Sequence, residues 1–254
     1  MCRHLAYLGP PHDLATLLLD PPHSLLRQSY APADMRGGGT VNADGFGAGW
    51  YPDGAAIPLR YRRAVPIWTD TSFVALASQV RSGAVLAAVR SATVGMPVVE
   101  SACAPFATGR WLFSYNGVVT GWPESMAPLA SSLPVTDLLT LDAPTDSALL
   151  WALVRHRLAA GDSLGYALGA VTAKVLAAAP GSRLNLLVTD GTKLAATAVY
   201  HALAVRVADG GVLVCSEPID QVAGWEPVPD CHLVTATPST VDVAPIPTPP
   251  AEEP

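Results

Sequence analysis

The second residue of this 254-residue chain is a cysteine, in the string Met1-Cys2-Arg3-His4. Removal of one methionine would leave a thiol and a free α-amine on the same residue. In unperturbed peptides these titrate at about 8.5 and about 7.7–8.0, both close to neutrality. A nucleophile and a general base are then covalently tethered, and no histidine has to be recruited. A thiolate activated by an N-terminal amine is suited to attack on a carbonyl. His4 is not the expected base. Two residues along one strand lie about 7 Å apart, too far for a hydrogen bond between them, so His4 reads as structural. His12, His23, His156, His201 and His232 show neither an acid partner nor metal-ligand spacing.

Thiolate attack on an amide generates a tetrahedral oxyanion that needs preorganised donors. Asn116-Gly117 offers a side-chain amide and an unhindered backbone N–H, and losing one such donor costs about 3 kcal/mol in a protease precedent. The same dipeptide is also a hairpin turn signal. Arg90 ends an apolar run and can clamp a carboxylate through two parallel hydrogen bonds, or form a structural salt bridge. Asp146 can hold an ammonium group, or simply place negative charge at the positive end of a helix capped by Thr145.

The elements that must position these residues follow from the pattern. A strand is expected from Arg3 to Leu8, and a short helix from Leu14 to Leu19. The glycine-dense stretch Gly45-Phe46-Gly47-Ala48-Gly49 suits a strand closely approached by a ligand or another backbone. A helix is expected over Ser72–Arg81 and a buried strand over Ala84–Arg90. The strand Trp111–Tyr115 is expected to close in a turn at Asn116-Gly117. Two helices follow, Asp146–Leu158 and Leu164–Ala178. Strands are then expected at Leu184–Thr189, Leu194–His201, Leu203–Val207, Val212–Ser216, Cys231–Ala236 and Val241–Ala244. Asp190-Gly191 and Asp209-Gly210-Gly211 mark hairpins among them. Strands, two helices and more strands imply an α+β fold of two antiparallel sheets between helix layers. One domain is expected over residues 2–244, with a proline-rich disordered tail over 245–254.

Half of the residues are hydrophobic and 14% are charged, with a net charge of −6, which allows a sizeable core and argues against a nucleic-acid partner. No apolar run reaches the ~18 residues of a membrane span, and Gly9-Pro10-Pro11 halts the one candidate signal segment. The chain reads as cytoplasmic. Cys103, Cys215 and Cys231 lack C-x-x-C spacing and are expected as buried free thiols, with no metal bound. G-x-G-x-x-G is absent, which excludes a dinucleotide loop.

Taken together, Cys2 behind Met1, Arg90-Ser91-Ala92-Thr93-Val94-Gly95, Ala104-Pro105-Phe106, Asn116-Gly117 and Thr145-Asp146-Ser147 fall in the order of the class II (N-terminal nucleophile) glutamine amidotransferases. The chain resembles that family over residues 2 to 220 or so. Within it, longer strings resemble the γ-glutamyl amidohydrolases of ergothioneine biosynthesis. These are Met1-Cys2-Arg3-His4-Leu5, Leu19-Asp20-Pro21-Pro22-His23, Gln28-Ser29-Tyr30-Ala31-Pro32, Asn42-Ala43-Asp44-Gly45, Asp70-Thr71-Ser72-Phe73 and the Arg90 string extended through Met96-Pro97. Tyr115, where a histidine usually precedes Asn-Gly, and Ala148, where many members carry glutamate, depart from the pattern.

The resemblance implies a four-layer αββα N-terminal nucleophile hydrolase sandwich. It implies Cys2 as nucleophile forming a thioester, Asn116 and Gly117 as the oxyanion hole, Arg90 on a substrate α-carboxylate and Asp146 on its α-ammonium. The implied substrate is the γ-glutamyl amide of γ-glutamyl-hercynylcysteine S-oxide, with no cofactor, metal or partner subunit. A stand-alone glutaminase subunit delivering ammonia to a separate synthase is the other reading.

Overall fold

A computed structural model of the chain describes residues 2–36, 38–39 and 41–247. Met1, whose removal the chemistry calls for, and residues 248–254 of the expected tail lie outside the described residues. In chain order the first half comprises β1 (Arg3–Asp13), α1 (Leu14–Leu18), α2 (Leu25–Gln28), β2 (Phe46–Trp50), β3 (Leu59–Arg63), α3 (Thr71–Ala77), β4 (Arg81–Val89), β5 (Phe106–Thr108) and β6 (Trp111–Val118). Helices α4 (Ala127–Ala130), α5 (Val135–Leu139), α6 (Asp146–Ala159) and α7 (Leu164–Ala178) follow. The remaining strands are β7 (Arg183–Thr189), β8 (Leu194–Ala198), β9 (Ala204–Ala208), β10 (Gly211–Cys215), β11 (Glu226–Pro227), β12 (His232–Thr237) and β13 (Thr240–Pro245).

These strands build two antiparallel sheets. One has the order β11-β9-β10-β1-β4-β2-β3 and the other β13-β12-β8-β7-β6-β5. Alternation along β1 explains why Leu5, Ala6, Tyr7 and Leu8 are apolar without a break. Leu5 and Tyr7 pack with Leu14, Leu17 and Leu18 of α1, whereas Ala6 and Leu8 pack between the sheets with Leu112, Leu187 and Val214. Both faces are covered, so neither needs polar residues. On the second sheet, Trp151 of α6 stacks on Phe113 of β6 at 5.2 Å, and Leu168 and Val171 of α7 join the same cluster. The result is the expected αββα sandwich.

Several boundaries differ from the sequence reading. Strand β1 runs through Pro10 and Pro11, because its pairing with β4 is interrupted between Leu8 and His12, where the missing N–H groups are not needed. It then resumes, with Asp13 opposite Arg81, so residues 81–83 join the sheet and the α3 helix stops at Ala77. The expected turn at Asn116-Gly117 is absent. Both residues lie inside β6, with Asn116 opposite Asn185 and Gly117 opposite Leu184. Glycines in β2 do meet close neighbours, but these are protein groups. A side chain at Gly47 would overlap the Ala104 carbonyl, and one at Gly49 would reach within 2.7 Å of Leu112. Beyond Ala244 the ladder continues to Pro245, and the Ile246 N–H donates to the Cys231 carbonyl at 2.9 Å.

His4 points between the sheets, where its Nδ1 meets the Ser114 hydroxyl at 3.2 Å. Burial, reinforced by His201 and Arg3, pushes its pKa down to about 3. His201, also buried, is pushed down to about 4 by burial with Arg183 and Arg3 beside it. Both imidazoles are therefore neutral in the folded chain at neutral pH. Below about pH 6.5 the unfolded chain binds protons that the folded chain refuses, so stability present at neutral pH is lost as pH falls. Urea unfolding measured near pH 7, 6 and 5 should show a slope rising toward about 2.7 kcal/mol per pH unit, two protons' worth. Equal stability at the two extremes would contradict the buried neutral assignment.

Candidate active site

Strand pairing brings distant residues to Cys2. In the β1–β4 register Arg3 faces Val89, so continuing the ladder by one residue sets Cys2 against Arg90. The segment after Arg90 is braced by the Asn42–Gly45 string. Arg90 N–H donates to the Gly45 carbonyl at 2.7 Å, and Asp44 accepts the Ala92 N–H at 2.7 Å. Ser91 in turn accepts from the half-buried Cys2 Sγ at 3.7 Å.

Cys2, Arg90, Gly117 and Asp146 line one cleft, together with Thr93, Tyr115 and Ser147. Arg90 is buried and donates to the Pro97 carbonyl at 2.9 Å. Asp146 opens α6, where the Thr145 hydroxyl accepts the Ala148 N–H at 3.2 Å as a helix cap. Its carboxylate accepts the Val119 N–H at 3.3 Å and the Ser147 N–H at 2.8 Å. Burial raises its pKa, while these hydrogen bonds and Arg90 oppose that rise. A cation and a carboxylate facing one cleft beside a thiol fit a zwitterionic α-amino acid group.

Asn116 falls on the other side. Successive strand residues alternate faces, and Asn116 lines an adjoining small cavity with Arg3 and His201 rather than the cleft. Gly117 is required for a reason unrelated to turns. A Cβ there would overlap the Arg183 carbonyl oxygen and crowd the Tyr115 ring. Tyr115, a departure from the family pattern, lines the cleft and donates its hydroxyl to the Arg183 carbonyl at 3.1 Å. Burial, with Asp146 and Cys2 nearby, raises its pKa well above the usual phenol, so it remains a neutral donor. Ala148 is buried in the α6 core and takes no part in the cleft.

Sequence reasoning missed the charge network behind Cys2. The Arg3 Nε donates to Glu217 at 2.6 Å, with both side chains almost completely buried. Arg3 also donates to the Cys2 carbonyl at 3.0 Å and to the Asp34 carbonyl. Glu217 further accepts from His23 Nε2 at 2.6 Å and the Ala33 N–H at 2.7 Å. Burial alone would raise the Glu217 pKa, but His23, Ala33 and Arg3 together hold it below the usual carboxylate range. His23 thus has an acid partner, 194 residues distant, that no local spacing could reveal.

The other thiols are poor nucleophile candidates. Burial pushes Cys103 up to about 11 despite Arg90 and Arg62, and Cys103 donates to the Arg63 carbonyl at 3.4 Å. Burial raises Cys215 further still. Cys231 departs from expectation in being exposed, because it sits at a left-handed corner (φ 58°) just before β12. Among the described residues no group of three His, Cys, Asp or Glu could hold a metal, and no helix is long and apolar enough to cross a membrane.

Two antiparallel sheets between helices, with a cysteine leading the central β1 strand, define an N-terminal nucleophile hydrolase fold. A solved structure of a glutamine aminotransferase class-II domain protein from Silicibacter pomeroyi is 25% identical, with a TM-score of 0.69 over 97% of this chain and 100% of that one. The phosphoribosylpyrophosphate amidotransferase of B. subtilis shares the fold at 12% identity, with a TM-score of 0.64 over 97% of this chain and 49% of that one. The family model for class II glutamine amidotransferases matches residues 26–209. A gamma-glutamyl-hercynylcysteine sulfoxide hydrolase from Mycolicibacterium smegmatis is 44% identical over 97% of this chain and its own full length. The chain belongs to the class II glutamine amidotransferases, and it is an amidohydrolase of the N-terminal cysteine type.

Two outcomes follow for the site. Native-state alkylation read by peptide mass spectrometry should modify Cys2 and Cys231 and spare Cys103 and Cys215; labelling of Cys103 as fast as Cys2 would contradict the burial argument. Glu217→Ala leaves the Arg3 charge buried and unpaired, so urea unfolding should show a loss of about 3–5 kcal/mol. Destabilisation below about 1 kcal/mol would show that Arg3 finds another partner.

Proposed function

We propose that this chain hydrolyses the γ-glutamyl amide of γ-glutamyl-hercynylcysteine S-oxide, a step of ergothioneine biosynthesis, to glutamate and hercynylcysteine S-oxide. The full-length similarity to a hydrolase of that name carries the substrate assignment. The cleft supports the chemistry. Arg90 binds the α-carboxylate of the glutamyl group and Asp146 its α-ammonium, fixing the γ-carbonyl beside Cys2. With Met1 removed, the α-amine of Cys2 takes the thiol proton as Sγ attacks the γ-carbonyl carbon. The Gly117 N–H stabilises the resulting oxyanion from the cleft side, and the Asn116 side-chain N–H, as distinct from its Oδ1, reaches it from the adjoining cavity. Collapse of the tetrahedral intermediate breaks the C–N bond, and the amine leaves with a proton from the α-ammonium. Water, deprotonated by the same amine, then hydrolyses the γ-glutamyl thioester and regenerates the thiol.

No cofactor or metal enters these steps, and a small-molecule substrate is the only partner they need. Cys2→Ala should abolish turnover while γ-glutamyl ligands still bind, as measured by calorimetry. Charge-assisted hydrogen bonds are worth about 1.5–3 kcal/mol, so Arg90→Ala should lower kcat/KM at least tenfold. The decisive measurement compares hydrolysis of this substrate with that of glutamine and γ-glutamylcysteine. Comparable kcat/KM on plain glutamine would favour a glutaminase that supplies ammonia to a separate synthase.

A further inference from the structure

Two strands contribute consecutive residues to two neighbouring spaces. Cys2 and Gly117 line the cleft, while Arg3 and Asn116, their chain neighbours, line the small cavity beyond it. That cavity is a narrow throat, about 10 Å³, with room for about one water molecule. Four of its lining residues, Asp34, Ala202, Ser216 and Glu217, also line a much larger open cavity of about 1010 Å³. The glutamyl-binding charges, Arg90 and Asp146, lie only on the cleft side. A scissile bond held at Cys2 and residues 116–117 would therefore have its acyl half in the cleft and its amine half directed into the throat.

Two observations point to a ligand there. Asn116 Oδ1 and His201 Nδ1 are buried and have no hydrogen-bond partner among the described residues, and both residues line the throat. Buried polar atoms are normally paired, so a ligand with polar groups near the scissile nitrogen would complete them. The large cavity has a different character. Its wall combines apolar Met35, Leu203 and Trp225 with the carboxylates of Asp34, Glu217 and Asp220, and neither Lys nor Arg lines it. Arg206, which is not in the wall, stacks on the Trp225 ring at 4.6 Å and pairs with Asp220 at 2.6 Å. Each carboxylate is already paired, Asp34 with Arg36, Glu217 with Arg3 and Asp220 with Arg206, so it is the indole and the concave, mostly apolar walls that suit a large organic ligand ending in an onium group.

We propose that the throat and this cavity form the leaving-group site. Asn116 and His201 hydrogen-bond the polar groups next to the scissile nitrogen, and the cavity around Met35, Asp220 and Trp225 holds the distal quaternary ammonium end. This rests on the substrate reading above and extends it by assigning the amine half of the substrate to named residues. The site selects a large cationic amine over ammonia or a small amine, so the enzyme is specific through its leaving group as well as its glutamyl group.

The test measures the ratio of kcat/KM on γ-glutamyl-hercynylcysteine S-oxide to that on γ-glutamyl methylamide, which shares only the glutamyl half. In the unmodified chain the ratio should be large. Trp225→Ala removes the indole, and Gln221→Trp narrows the cavity from its exposed rim and does not depend on the loss of a packed ring. Each should reduce the ratio at least tenfold, and His201→Ala should reduce it as well. If the unmodified chain shows no preference for the larger substrate, the substrate reading fails and this assignment with it. If that preference is present but Trp225→Ala and Gln221→Trp leave the ratio unchanged, the substrate reading stands and the cavity assignment is overturned.

Discussion

The buried ion pair between Arg3 and Glu217 is the constraint on which the site depends. A charged pair taken out of water is unfavourable unless its remaining hydrogen-bonding groups are met. Here they are met by His23 and the Ala33 N–H on the Glu217 side, and by the carbonyls of Cys2 and Asp34 on the Arg3 side. One network therefore ties the leading end of β1 to the segment after β10 and to two loops. Because Arg3 follows Cys2 directly, satisfying the pair also fixes the backbone of the nucleophile. A chain end, ordinarily among the loosest parts of a domain, is held here by the interior.

The same strand geometry divides the substrate. Along β6 a period of two sends Asn116 and Gly117 to opposite faces, and where β1 begins Cys2 lines the same space as Gly117 while Arg3 lines that of Asn116. The cleft carries separated opposite charges matched to an amino-acid zwitterion. The far side carries the mutually paired Arg3 and Glu217 beside the neutral Asn116 and His201, and leads to a mostly apolar cavity. With burial holding His201 neutral and Glu217 pairing Arg3, the throat presents polar atoms without an unpaired positive charge that would repel a cationic leaving group.

Much was determined locally in the sequence. Cys2 behind Met1 announced the nucleophile. Thr145-Asp146 announced a helix cap that does cap α6, and apolar runs broken by Asp-Gly pairs placed the later strands within a residue or two, apart from β8, which stops at Ala198, and the two-residue β11, which no apolar run marked. The two-sheet architecture followed from that order of elements. The Asn116-Gly117 pair shows where local reading stops. Its residue types signal a hairpin, but pairing with β7 keeps it extended, and the glycine is demanded by the Arg183 carbonyl lying against it. Such crowding arises only once β6 and β7 are side by side.

Tertiary structure alone decided what surrounds the nucleophile. Glu217 stands 214 residues from Arg3 and 194 from His23, separations at which no periodicity or spacing rule operates. The throat and cavity are likewise made by segments near residues 34, 116, 201 and 217–225, which have no shared motif and meet only because β1 lies between β10 and β4. Reactive residue types and element order are local properties and are written in the chain. Which buried charge finds which partner, and what space is left between them, depends on long-range packing and is set only when the two sheets close on one another.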